Sequence, residues 1–109
     1  MSPVDRRVEN ERIFRAVNEQ IERLNETFET FSGERPEFLC ECDAADCTAR
    51  LAIGLDQVRL VHEHPRRYVV APGHEDPEVE RVIASDGGHV VVAKIGEAAS
   101  IARARDPRA

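Results

Sequence analysis

The sequence predicts an α+β domain: a long N-terminal helix, then a small and mostly antiparallel sheet, in the order α–ββ–α–βββ–α, with one hairpin clipped by a metal. Three observations predict it. Apolar residues near the N-terminus recur at helical spacing, and short β-branched runs punctuated by Pro and Gly fill the second half. Between these two patterns, three cysteines fall within eight residues.

Residues 3–31 read as one helix, since Pro3 suits a first turn and Gly33 followed by Pro36 ends it. Phe14, Val17, Ile21, Leu24, Phe28 and Phe31 are spaced 3, 4, 3, 4, 3 apart, which is the seam of a heptad pattern. Glu11–Arg15 and Glu19–Arg23 add i,i+4 pairs in the favourable order. The seam has two uses: packing on the domain's own sheet, or forming a dimer or partner contact. Its flanks, Asn18, Gln20, Asn25 and Thr27, carry no charge to steer pairing. A helix of this length reaches about 43 Å, more than a small domain covers, so both uses are compatible. Organisation follows as 1–34 for the amphipathic helix and 35–106 for a small metal-binding α+β domain.

Phe38-Leu39-Cys40-Glu41-Cys42 reads as a strand, Asp43-Ala44-Ala45-Asp46 as a turn, and Cys47 to Ile53 as the returning strand. Leu55, Val58 and Val61 mark a short helix over about 55–64, ended by Pro65. Arg67 to Ala71 is the next strand, closed by Pro72-Gly73. Glu80 to Ala84 and His89 to Lys94 flank Asp86-Gly87-Gly88, a strong hairpin signal. A small-residue helix from Glu97 to about Arg105 completes the fold before Pro107.

Composition bounds the function. The chain has 109 residues, only 5% aromatic and without Trp, so its core is built mainly from Val, Ile, Leu and Ala. Domains of this size are often marginal without a metal or a second subunit. A net charge of −6 repels nucleic-acid backbone, and the arginine tail (Arg103, Arg105, Arg108) is too short to reverse that. No apolar run approaches the roughly 18 residues of a membrane span. The N-terminal charges are not followed by the apolar segment of a secretory signal, so the expected location is the cytoplasm, where thiols stay reduced. Three is also an odd number for a disulfide framework.

The chemistry turns on Cys40-x-Cys42-x4-Cys47. On an extended segment, residues i and i+2 share a face, and the turn over 43–46 returns Cys47 towards them. Three thiolates make most of a tetrahedron, the geometry of structural zinc; an iron–sulfur cluster is the lesser alternative. The fourth ligand must come from elsewhere. His74, on the turn after Pro72-Gly73, is the best placed, with His62 and His64 next and Asp43, Asp46 or a water behind them. His62 and His64 also suit the C-terminus of a helix, and His89 reads as a surface residue. His74-Glu75 does not extend into the zinc-protease helix motif, since Pro77 intervenes and position 78 is Glu. The deaminase signature, a phosphate loop and a nucleophile elbow are likewise missing, and three thiolates make a poor Lewis acid.

These motifs, Cys40-Glu41-Cys42 with Cys47-Thr48 and the run from Pro65 to Glu75, resemble a group of short, uncharacterised actinobacterial proteins. Its members share a long helix, a Cys-x-Cys-x4-Cys hairpin and a Pro-Gly-His-Glu turn. The resemblance spans roughly residues 10–107 and implies that the cysteines and His74 form one site. The expected function is a zinc-stabilised interaction or regulatory module without catalytic activity. Its helix dimerises or binds a protein partner through Phe14, Val17, Ile21, Leu24, Phe28 and Phe31. The alternative is a thiol-based redox or metal sensor using the same cysteines.

Overall fold

A computed structural model describes residues 2–32 and 37–105, without the side chains of 26–32. Gly33, Pro36, Pro107, Arg108 and the side chains of Phe28 and Phe31 therefore lie outside the described residues. The fold is α+β: helix α1 (Pro3–Ser32), strands β1 (Glu37–Leu39) and β2 (Arg50–Ala52), helix α2 (Leu55–His62), strand β3 (Arg67–Val70), hairpin β4 (Glu80–Asp86) and β5 (His89–Lys94), and helix α3 (Gly96–Ala104).

The start of α1 is fixed by a capping box. Ser2 Oγ accepts from Asp5 N at 3.0 Å while the Asp5 carboxylate accepts from Ser2 N at 3.3 Å, with Pro3 in the first turn. At its 30 residues the helix is about 45 Å long, matching the molecule's longest dimension of 44 Å. It packs against β1, α2 and α3.

The strands form two antiparallel sheets rather than one, β1–β2 and β3–β5–β4. The first two strands are shorter than the sequence predicts, so all three cysteines fall just outside them. Side-chain and cross-sheet bonds account for this. Asn18 takes both backbone groups of Leu39, donating to its O at 2.8 Å and accepting from its N at 2.7 Å. Glu41 N then crosses to Val69 O at 2.8 Å, so the cysteine segment bridges the two sheets. In the β4–β5 hairpin, Gly87 at φ +50° occupies the first turn position, and the register slips between Val82 and Ala84 on the open edge.

The inward face of α1 is largely polar. Among the described side chains, Val8, Glu11, Arg15, Asn18 and Glu22 are buried, whereas Ile13, Val17 and Leu24 face solvent, Leu24 at 78% exposure. Of the predicted seam, Ile21 packs on the core around Phe38, Leu51 and Val58, and Phe14 is half-buried. The expected Glu11–Arg15 surface pair is replaced by interior contacts. Arg15 donates to the carbonyls of His62, His64, Pro65 and Arg67 at 2.8–3.2 Å, satisfying the end of α2. Glu11 instead meets Lys94, which also pairs with Glu80. Arg15 and Lys94 each lie 5.1 Å from the Tyr68 ring centre.

Candidate metal centre

The four expected ligands converge. One donor atom from each of Cys40, Cys42, Cys47 and His74 lies within 4.8 Å of all the others. Cys40 follows the end of β1, anchored by its N–H to Ala49 O at 3.1 Å. The turn that returns the chain is closed by Cys47 N to Ala44 O at 3.0 Å, and Asn10 of α1 holds it by donating to Asp43 O at 3.0 Å. His74 is delivered by a turn in which its N–H bonds Ala71 O at 3.0 Å and Gly73 adopts φ +85°, a conformation that favours glycine.

His74 Nδ1 sits 3.5 Å from both Cys40 Sγ and Cys47 Sγ. With Zn–S near 2.3 Å and Zn–N near 2.0–2.1 Å, a tetrahedron has an S···N edge of about 3.5 Å. Two of the six donor–donor separations therefore match the edges of a tetrahedral Cys3His site, with Nδ1 the nitrogen that faces the sulfurs. Cys40 Sγ also accepts from Ala71 N at 3.1 Å, an outer contact that orients a sulfur ligand.

Electrostatics keep the metal-free thiols of Cys40 and Cys42 protonated. Burial raises the Cys40 pKa, partly offset by the Ala71 N–H, and Cys42 and Cys47 raise it further. Burial likewise raises that of Cys42. Thiols in this state hold their protons at neutral pH unless a metal displaces them. Cys40 and Cys42 are buried, Cys47 is half-buried and His74 is exposed, so the site has one side towards solvent.

The other candidate side chains, His62, His64, Asp43 and Asp46, are not part of the cluster. His62 is buried between two carboxylates, with Nδ1 2.6 Å from Glu22 Oε2 and Nε2 2.7 Å from Glu41 Oε2. His64 is exposed and outside the cluster. Asp43 is pushed up to about 6 by burial and by the Asp76 carboxylate, whose own pKa is lowered by the hydrogen bond from Asp43. His89, expected at the surface, is 8% exposed.

Sequence reasoning passed over Glu41, the residue between the first two cysteines. It is fully buried, and its carboxylate accepts from Asn18 Nδ2 at 2.7 Å and Val69 N at 3.0 Å besides facing His62. The available signal was the 4, 3, 4 spacing of Glu11, Arg15, Asn18 and Glu22, a polar stripe at the same helical period as an apolar one.

No family model matches the chain, and neither the curated proteins nor the solved structures contain a match. The resemblance to the actinobacterial group thus rests on sequence motifs alone.

Proposed function

We propose that this chain is a zinc-clipped interaction module. Cys40, Cys42, Cys47 and His74 Nδ1 hold the ion, and the outer row of α1 offers a contact surface to a second copy or another protein. The observation that carries the metal reading is the pair of 3.5 Å separations from His74 Nδ1 to two sulfurs, which match the edges of a zinc tetrahedron. Four protein ligands close the coordination sphere, and three soft sulfurs select zinc over oxygen-preferring cations. A closed sphere leaves no position for a substrate, so the ion's role is structural. Ile13, Val17 and Leu24 support the contact surface, because they form an exposed apolar row at helical spacing.

Elemental analysis with native mass spectrometry on protein purified under reducing conditions tests the metal reading. One zinc per chain is expected, lost in Cys47→Ser and strongly weakened in His74→Ala. A metal-free protein, or a brown preparation containing iron, would overturn it.

A further inference from the structure

Glu41 ties the cysteine segment to two helices. On one side of it are Cys40 and Cys42; on the other, its carboxylate faces Asn18 of α1 at 2.7 Å and His62 of α2 at 2.7 Å. Val69 clasps it twice, accepting from Glu41 N at 2.8 Å and donating to Glu41 Oε1 at 3.0 Å. His62 carries the chain of bonds back to α1 through Glu22 at 2.6 Å, and Asn18 also grips both backbone groups of Leu39. Residue 41 therefore cannot shift without breaking bonds to three elements, and its backbone sets the spacing of the two neighbouring sulfurs.

We propose that Glu41 is the positioning residue of the metal centre, and that through it metal affinity and the docking of the middle of α1, residues 15–25, form one linked equilibrium. The inference rests on the zinc reading above. Two physical reasons support it. Holding Cys40 and Cys42 in place before the ion arrives removes an ordering cost from binding, as outer contacts do at other metal sites. In addition, α1 docks here through Asn18 and Glu22, both buried and polar, whose bonds are directional and hold only while Glu41 and His62 keep their places. Coupling of this kind is reciprocal: whatever docking of residues 15–25 contributes to metal affinity, the metal contributes equally to their docking.

The test measures zinc affinity by chelator competition on the full chain, for wild type, Glu41→Gln and Asn18→Ala. The first variant places an amide N–H2 against existing donors; the second removes the direct bonds from α1 to Glu41 and Leu39 and leaves the Glu41 carboxylate in place. Both keep all four metal ligands, and both are expected to bind one zinc about tenfold or more weakly. Val8→Ala loosens α1 at its other end, against Ala98 and Ala102, and is expected to keep wild-type affinity. In parallel, hydrogen exchange on wild type should show residues 15–25 losing protection when zinc is removed, while 89–94 keep theirs.

Wild-type affinity in Asn18→Ala, or unchanged exchange over 15–25, would overturn the coupling. An equal loss of affinity in Val8→Ala, or lost protection across 89–94, would overturn it too, by showing only general loosening. If Glu41→Gln does not fold, His62→Gln replaces it, because it removes a partner of Glu41 without touching Leu39; wild-type affinity in that variant would overturn the positioning role. A wild type that binds no zinc instead removes the metal reading itself.

Discussion

His62 shows how much of this interior depends on protonation. Burial alone would lower its pKa, but the Glu41 charge and the hydrogen bonds to Glu22 and Glu41 outweigh burial and the nearby Arg15, lifting it to about 9. Its folded pKa therefore stands above the ordinary value of 6.5. Such a group contributes stability fully below the unfolded pKa and loses it as pH rises through the folded one. The zinc-bound protein should thus lose a few kcal/mol of stability between about pH 7 and 10, followed by denaturant unfolding. His62→Gln should flatten that slope; an equally steep slope in the variant would remove His62 as its cause. At this scale the cysteines were legible in the sequence because three soft ligands in eight residues seldom occur together by accident. Glu41 was not, since a glutamate between two cysteines carries no mark of where its own carboxylate goes.

Among the elements, α1 is where the sequence pattern and the structure part most. The helix itself was legible from its period and its Pro3 start, whereas the side it buries was not. The heptad row splits: Ile21 reaches the core, while Leu24 faces solvent and Val17 is 39% exposed. Burial goes instead to the polar row, because Arg15 satisfies the end of α2 and Asn18 the edge of β1, tasks no apolar side chain performs. Leu24→Ser should consequently change stability by less than about 0.5 kcal/mol, whereas Ile21→Ser should cost about 2 kcal/mol. If the outer row joins two copies, Leu24→Ser also abolishes concentration-dependent self-association in light scattering. A wild type that stays monomeric at every concentration would exclude self-pairing and leave only a different partner for this row.

Over the whole molecule, formal charge is a poor guide to the surface. Glu11, Glu22, Glu41 and Glu80 are all buried, so part of the −6 balance belongs to the interior. Burial pushes the Glu11 carboxyl up to about 10 against the pull of Lys94. Such clusters are costly to break but add little net stability once formed. In the proposed reading, an ion pinning the cysteine segment supplies what a small domain with a partly polar interior lacks. The antiparallel hairpin and the α+β class were legible from Gly87-Gly88 and the alternation around it, which are local signals. The division into two sheets was not, because it depends on Glu41 meeting Val69 across 28 positions. X-ray absorption at the zinc edge of reduced protein tests the central claim most directly. It should show three sulfurs near 2.3 Å and one nitrogen near 2.0–2.1 Å; an oxygen-dominated shell, or a sulfur count that stays at three in Cys47→Ser, would contradict it.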